Sequence, residues 1–293
     1  MSLLEYALIG GILYGIFFAL VGIGLNLIFG VMRMINIAHG QFVLLGGYGA
    51  FLLSARLGLN PIFGVLLAIA GAIVVGLPLY YAVVPRLQAS RDPEMLSFIL
   101  FFGIAQMIDA ILVAVFGADQ RSLPQDALGS GNLSALGQSF PDAWWVAVAM
   151  SLLVTAALYL YFTRTRLGFA TRAIIANRDE ALATGIDVQR VSALSFVIGL
   201  ALAGIAGVFV PYLLGSISPD IGNELTTTSF AVIIIGSLGN PLGTIIGGLV
   251  FGIGTLFMQT FLPSWSNMVP YALLVIIVLL RPAGLLGRAV RVT

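Results

Sequence analysis

Few residues in this sequence have the chemistry that catalysis or metal binding requires. Its 293 residues include one histidine, His39, and no cysteine, and all 13 basic side chains are arginine. A zinc site needs several histidine, cysteine or carboxylate ligands together, and His39 has no such neighbours in the sequence. The phosphate-binding loop of ATPases requires a lysine, so this chain cannot hydrolyse ATP through that motif. We therefore expect no catalytic residue, no metal site and no bound cofactor, which argues against an enzyme.

Three polar residues, Asn36, His39 and Gln41, lie close together in an otherwise apolar stretch. Asn36 and His39 are three positions apart, so a helix would place them on one face. Polar groups in a strongly apolar segment are costly and often functional. They could line a path for a solute, or they could hydrogen-bond to neighbouring helices, with neutral His39 bound to a backbone carbonyl. Both uses require the same inward orientation, so the sequence leaves them open.

A second polar group follows Glu224, near the start of a short apolar segment. It consists of Thr226, Thr227 and Thr228, whose hydroxyls beside a helix N-terminus could receive a solute carboxylate. The alternative is that these threonines bond back to carbonyls of their own helix. Asp109 lies inside another apolar run, where we expect it to pair with an arginine at a helix end or to lie near the end of a shorter helix.

The charged residues concentrate in one segment, because eight of the 25 lie between positions 163 and 190. Asn177 is a good N-cap residue, and Glu180 three positions later completes a pattern similar to a capping box. Gly185 is placed to end the helix. The sequence therefore predicts a short, exposed helix over 178–184, which would need tertiary contacts to be stable.

The elements that carry these residues must be membrane helices. The sequence is 60% hydrophobic and 9% charged, with a mean hydropathy of +1.09, whereas soluble domains carry about 25% charged residues. A spanning helix needs roughly 20 apolar residues, which predicts an all-α polytopic membrane protein with eight or nine membrane elements, some short or broken. The predicted spans cover 6–32, 34–55, 57–84, 95–118, 143–163 and 191–219, with two or three more elements in 225–280.

A weak internal similarity connects two distant parts of the sequence. The string at 42–46 resembles the string at 230–236. Each is followed by an Asn-Pro pair, which lies within 59–61 in the first case and within 239–241 in the second. Duplicated halves are frequent in transporters, with the substrate path between them. Chance similarity between two apolar, glycine-rich strings would give the same pattern, so both explanations stay open.

The distribution of arginine predicts which loops face the cytoplasm, because cytoplasmic loops retain an excess of basic residues. Arginines collect in 164–190, in the linker at 86–91 and in the tail at 281–291, whereas 119–142 and 220–224 carry mainly acids. We therefore expect the 164–190 loop and the C-terminus to be cytoplasmic and the N-terminus to be outside.

Three strings in this sequence resemble one family of transport proteins. The charged segment resembles the coupling loop of permeases from binding-protein-dependent ABC importers. The residues that carry this resemblance are Arg172-Ala173, Asn177-Arg-Asp-Glu-Ala181 and Gly185-Ile-Asp187. The strings at 24–41, which contains N-x-x-H-G-Q, and at 236–248 resemble the branched-chain amino-acid branch of that family. The general E-A-A-x-x-x-G form of the coupling motif is degenerate here, because leucine follows Ala181 and the glycine comes one position early.

The resemblance implies a single transmembrane permease domain over 1–293, with a cytoplasmic coupling loop at 164–190. It implies that this loop contacts an ATPase subunit through Arg172, Asn177, Arg178, Asp179, Glu180, Ala181, Gly185 and Asp187. The candidate residues of the translocation path are Asn36, His39, Gln41, Thr226, Thr227 and Thr228.

The partners implied by the resemblance are two ATP-binding cassette subunits, a second, paralogous permease subunit, a periplasmic substrate-binding protein and the lipid bilayer of the bacterial inner membrane. The net charge of +1 leaves no basic excess for nucleic acid. The implied function is ATP-driven import of branched-chain or other small neutral amino acids. A urea or short-chain amide permease of the same family is the close alternative. An ion-coupled secondary transporter is less favoured, since it would ordinarily need buried acids or acid–base pairs.

Overall fold

The structure, a computed structural model, describes residues 3–287. Arg288 and Arg291, which contribute to the basic tail, lie outside the described residues. The helices of the first half are α1 (Leu3–Met32), α2 (His39–Leu57), α3 (Gly64–Gln88), α4 (Pro93–Phe116) and α5 (Asp142–Arg164). Those of the second half are α6 (Arg166–Ala176), α7 (Arg178–Ala183), α8 (Val188–Leu213), α9 (Ile221–Gly236), α10 (Pro241–Phe261) and α11 (Val269–Leu280). Two short antiparallel strands, β1 (Asn132–Ala135) and β2 (Gln138–Pro141), precede α5.

The helices confirm an all-α polytopic membrane protein. Within the described residues, seven helical stretches are long and apolar enough to cross a membrane, and α9 is a shorter apolar helix. These eight elements and α2, which lies inside the bundle, make nine membrane elements among the described residues. This number agrees with the expected eight or nine. The long apolar run at 225–280 contains three of them, α9, α10 and α11, separated by the breaks that the sequence indicates.

The second predicted span is wrong at its start. We expected one helix over 34–55 with Asn36 and His39 on one face, but the chain leaves the helix after Met32 and begins α2 only at His39. Arg33 takes a left-handed backbone conformation with φ of 51°. This turn and the non-helical segment that follows allow α2 to begin beside the middle of α1, so Asn36 belongs to the connection.

Two helices form the centre of the bundle. α1 and α8 are buried over most of their length, and α10, α3 and α2 pack around them. By contrast, α3, α4, α5 and α11 leave long rows of large apolar side chains exposed, as expected for helices that face lipid. The core therefore lies between helices that are distant in sequence.

Glycines bring the central helices close together. An added Cβ at Gly248 of α10 would meet the backbone of Ala19 in α1, and one at Gly207 of α8 would meet the carbonyl of Val43 in α2. Gly243 and Gly247 of α10 make a close contact with the end of α9, because an added Cβ at either position would meet backbone atoms of Val232 or Gly236. Small residues let backbones approach where lipid provides no hydrophobic driving force.

The two ends of the bundle carry different structures. At one end, Phe140 of the β-hairpin stacks on Tyr6 at the start of α1, with ring centroids 5.1 Å apart. At the opposite end, α7 lies beside the end of α3, where Arg178 reaches Gln88. We call these the hairpin end and the α7 end.

The three helices α1, α2 and α3 have counterparts in α8, α9 and α10, which follow one another in the same order but run in the opposite direction through the bundle. α1 packs antiparallel on α10, α8 packs antiparallel on α3, and α2 contacts α9. In both units an asparagine before proline, Asn60 or Asn240, accepts a hydrogen bond from the backbone two residues later. This arrangement is typical of inverted repeats in transporters and favours duplication over chance for the internal similarity.

Candidate functional site

The short helix predicted in the charged segment is present as α7 and is capped at both ends. The Asn177 side-chain oxygen accepts hydrogen bonds from the backbone N–H groups of Asp179 (3.1 Å) and Glu180 (3.3 Å). The Glu180 carboxylate accepts a bond from the Asn177 side-chain amide at 2.7 Å, in place of the backbone N–H of a standard capping box. Gly185 follows the helix with φ of 83°, a conformation that suits glycine.

The body of the protein holds α7 at two points and leaves its outer face open. Ala181 is buried, and the Arg178 guanidinium donates a hydrogen bond of 2.9 Å to the side-chain oxygen of Gln88 in α3. Asp179 and Glu180 are exposed. Asp187 begins α8, where it accepts a bond from the backbone of Arg190 and pairs with its guanidinium at 2.8 Å.

Arg172 lies in α6, before α7, and is exposed. Its guanidinium lies 4.8 Å from the ring centroid of Phe169, one turn earlier. Seven of the eight residues predicted for ATPase contact are therefore exposed, from α6 through α7 to the start of α8. The eighth, Ala181, is buried and faces the body of the protein, so it is not part of that surface. The role of the exposed residues in ATPase contact stays a prediction.

Asn36, His39 and Gln41 are fully buried and line no open space in this conformation. The His39 Nε2 lies 2.9 Å from the carbonyl of Val21 in α1, as the hydrogen-bonding alternative expects. Within the described residues, His39 Nδ1 and both side-chain polar atoms of Asn36 and of Gln41 have no hydrogen-bond partner. The Gln41 side chain packs against Gly222 of α9, where a Cβ would collide with it.

The three threonines separate into two environments. The Thr226 hydroxyl accepts a bond of 3.0 Å from the backbone N–H of Gly40 and lies 3.0 Å from the carbonyls of Ile37 and Gly222. It therefore joins α9 to the start of α2. Thr227 and Thr228 instead line a cavity of about 190 Å³ at the hairpin end, between α1, α9, α10 and the start of α11.

Asp109 does not form the expected pair with an arginine within the described residues. Its carboxylate has one oxygen without a hydrogen-bond partner, and the described residues contain no ion pair that includes it. α4 continues to Phe116, so Asp109 lies inside the helix, two turns before its end. It is partly buried, and no arginine at a helix end pairs with it in the part of the chain that the structure describes.

Asn26 is a site residue that sequence reasoning missed. This buried side chain of α1 lies within hydrogen-bond distance of the carbonyls of Ser237 (3.2 Å) and Asn240 (3.0 Å), and of the Thr244 hydroxyl. Its oxygen accepts a bond of 2.5 Å from the backbone N–H of Gly239. A single amide thus holds the α9–α10 connection against α1. The signal was a lone amide in an apolar span.

Comparison with known proteins assigns the chain to a family. Residues 7–278 match the family described as "Branched-chain amino acid transport system / permease component". The chain belongs to this family. It is therefore a membrane-embedded permease subunit, whose activity is transport and not catalysis.

Relatives of the permease match over almost the whole chain. The high-affinity branched-chain amino acid transport system permease protein LivH of Escherichia coli (strain K12) is 31% identical over 291 residues, which cover 95% of this chain and 94% of the relative. The corresponding protein BraD of Pseudomonas aeruginosa is 29% identical over 291 residues, with coverage of 96% and 95%. The D-allose transport system permease protein AlsC of Escherichia coli (strain K12) is 35% identical over 113 residues, 36% of this chain and 35% of its own length. No solved structure matched the permease.

Proposed function

We propose that this permease subunit forms the translocation path for branched-chain or other small neutral amino acids in an ATP-driven importer. The observation that carries the proposal is α7, an exposed helix capped by Asn177 and Gly185. The substrate class rests on the full-length similarity to permeases of high-affinity branched-chain amino acid transport systems. ATP hydrolysis comes from other subunits, because the sequence has no lysine for a phosphate-binding loop.

The proposed assembly contains two ATP-binding cassette subunits, a second, paralogous permease subunit and a periplasmic substrate-binding protein in the inner membrane. We assign the α7 end, with the 164–190 loop, to the cytoplasm and the hairpin end to the periplasm. The clustered arginines of 164–190 support this orientation. The whole chain, 1–293, acts as one permease domain.

Movement of α7 by an ATPase subunit has a direct route into the membrane helices. Arg178 holds the end of α3 through Gln88, and α3 leads directly into α4. Near the start of α4, the Ser97 hydroxyl accepts a bond of 3.1 Å from the backbone N–H of Ile35, in the connection between α1 and α2. Displacement of α7 would thus shift the start of α2, and with it His39 and Gln41, between two packed arrangements.

The candidate path residues take two roles in this proposal. Asn36, His39 and Gln41 lie closed in the structure and become accessible when α2 moves relative to α9, since their unpaired polar atoms would gain from solvent or solute. Thr227 and Thr228 already line open space, and Thr226 supports them by holding α9 to α2. Ion-coupled transport is less favoured, because it ordinarily requires buried acid pairs within the membrane.

The first test is purification of the tagged subunit with its co-expressed neighbours, followed by reconstitution into liposomes. We expect ATPase and second permease subunits to accompany it and leucine uptake to require ATP and the binding protein. A subunit that arrives alone and transports under an ion gradient without ATP would overturn the proposal.

A second test addresses α7. Replacing Glu180→Ala together with Gly185→Pro should leave membrane insertion and ATP hydrolysis intact while transport falls, because the helix loses its side-chain contact to the cap and its left-handed end. Asp126→Ala, an exposed acid at the hairpin end, is the matched control. Unchanged transport in the double variant would refute the assignment of α7 as the ATPase-coupling helix.

A further inference from the structure

A separate cavity of about 310 Å³ lies at the α7 end, between α1, α5, α6 and the start of α10. The part of α5 that lines it, within 155–163, belongs to the last turns of that membrane-spanning helix. The cavity therefore lies in the leaflet of the bilayer nearest α7. Much of its lining is apolar and consists of Ile23, Leu158, Phe162, Ile175, Leu242 and Ile245.

The side chains around this cavity face lipid. Tyr159 of α5 and Leu242 of α10 line it and are 59% and 58% exposed, and the neighbouring Leu160 and Ile246 are exposed as well. Exposed apolar side chains of a membrane helix contact acyl chains, and tyrosine is enriched where the membrane meets water. An acyl chain can therefore enter the cavity from the side.

The cavity carries a positive charge that no acid balances. Arg172 lines it, whereas no aspartate or glutamate does so among the described residues. The Arg172 guanidinium lies 4.8 Å from the ring centroid of Phe169 and forms no ion pair in the described part of the chain. By contrast, another cavity at the α7 end that contains Arg91 and Arg178 also contains Glu94. An arginine without a carboxylate partner favours an anionic ligand, above all one with phosphate oxygens.

Asn240 supplies a second donor to the cavity. Its side-chain oxygen accepts hydrogen bonds from the backbone N–H groups of Leu242 (3.1 Å) and Gly243 (3.3 Å) at the start of α10. Its side-chain nitrogen has no hydrogen-bond partner within the residues that the structure describes, so it remains available to an acceptor. The positive end of the α10 dipole lies at the same place and adds to the attraction for an anion.

We propose that this cavity binds one membrane phospholipid with a net negative head group. The phosphate lies against Arg172 and the Asn240 amide, and one acyl chain occupies the apolar part between α5 and α10. A zwitterionic phospholipid fits less well, because its ammonium group would meet no carboxylate in the lining. The inference goes beyond the proposed function and takes from it only that the α7 end faces the cytoplasm. It gives Arg172 a role separate from ATPase contact.

The test is photolabelling of the detergent-solubilised complex, in which the subunit remains with its accompanying subunits. The probes are phosphatidylglycerol and phosphatidylethanolamine that carry the same diazirine-bearing acyl chain, and mass spectrometry locates the labelled peptides. We expect phosphatidylglycerol to label 155–163 and 241–245 about fivefold more strongly, the preference that one arginine near an anionic membrane surface provides. Excess inorganic phosphate should not displace it, since phosphate leaves the apolar part empty.

Two variants separate the head group from the acyl chain. Arg172→Gln should lower labelling by phosphatidylglycerol to the level of phosphatidylethanolamine, and Ile245→Trp should fill the cavity and lower labelling by both lipids. Arg166→Gln is the control for charge, because Arg166 is exposed in the same helix but does not line the cavity. Leu279→Trp, at a 77% exposed position of α11, is the control for the added ring. Thermal unfolding of each complex confirms that it is folded.

Several outcomes would overturn the proposal. Equal labelling by the two lipids, an equal loss in Arg166→Gln or displacement by phosphate would show that the cavity holds no specific anionic lipid. Absence of label from both lipids would show that another subunit fills the cavity. If Arg172→Gln releases the ATPase subunits and leaves lipid labelling unchanged, Arg172 serves ATPase contact instead. ATP-dependent leucine uptake tests the proposed function separately, so either idea can fail alone.

Discussion

The guanidinium of Arg178 donates a hydrogen bond of 2.9 Å to the side-chain oxygen of Gln88, 90 positions earlier in the chain. This bond joins the first residue of α7 to the last residue of α3. Ala181 is the buried residue of α7 among those described, and α7 also contacts α6 and α8, its neighbours in the chain. The Arg178–Gln88 bond adds a connection to α3, a membrane-spanning helix that is distant in sequence.

Replacing Gln88→Leu should reduce coupling between ATP hydrolysis and transport. The leucine keeps the volume of the side chain but removes the acceptor for Arg178, and changes along such contacts typically alter coupling by about 0.5–2 kcal/mol, or roughly twofold to thirtyfold. The measurement is the number of substrate molecules imported per ATP hydrolysed in proteoliposomes. Gln120→Leu is the control, since Gln120 is exposed at the hairpin end, where its side-chain oxygen accepts a hydrogen bond from Ser216. An unchanged ratio in Gln88→Leu would show that this bond transmits nothing.

Thr226→Val should destabilise the protein more than Thr227→Val, although the two threonines are neighbours in the sequence. Thr226→Val leaves the buried N–H of Gly40 without an acceptor, which costs about 1–3 kcal/mol. The Thr227 hydroxyl donates a hydrogen bond of 3.0 Å to the carbonyl of Asn223 in its own helix, so its replacement should change the free energy of unfolding by less than about 0.5 kcal/mol. Thermal unfolding of the detergent-solubilised subunit measures both. Equal melting temperatures would contradict the role of Thr226 as a joint.

Asn26→Leu should loosen the connection between α9 and α10. The change removes the acceptor of the Gly239 N–H and the donor for two carbonyls in a buried region, and we expect a loss of at least about 2 kcal/mol. Limited proteolysis should then cut near Gly239 faster than in the wild type. Asn223→Leu, at an exposed position of α9, is the control, and equal cleavage rates in the two variants would refute the prediction.

Gly207→Ala and Gly71→Ala should have opposite effects. A Cβ at Gly207 would collide with the Val43 carbonyl where α8 meets α2, and overpacking of this kind costs about 1–3 kcal/mol. Gly71 has open space around it in the middle of α3, so alanine there should stabilise the helix by about 0.5–1 kcal/mol. The measurement is the shift in melting temperature, which should be negative for Gly207→Ala and positive for Gly71→Ala. A higher melting temperature in Gly207→Ala would show that α2 and α8 are not closely packed.

Local chemistry made α7 predictable. An asparagine followed by two acids and, later, a glycine specifies a capped short helix through contacts between residues a few positions apart, and the structure has Asn177 and Gly185 in those roles. The number of membrane elements was predictable for a similar reason, since an uninterrupted apolar run has to be helical in lipid.

The positions of the polar residues were not predictable in the same way. Asn36 was expected on a helix with His39, but the chain turns at Arg33, and the start of α2 is bound to Thr226, 186 positions later in α9. Asn26 is visible in the sequence as an amide in an apolar span, but its partners lie more than 200 positions later, so the sequence does not show what it binds.

The sequence by itself determined that this chain is a membrane-embedded helical protein with an exposed, capped helix among its arginines. The tertiary structure decided which polar side chains face each other, and it brought Phe162, Arg172 and Leu242 to one cavity. The physical reason is that lipid and protein interior are both apolar, so hydropathy indicates that a helix lies in the membrane but not which face turns inward. That choice depends on close contacts between glycines and on hydrogen bonds between distant helices, which form only when the bundle is assembled.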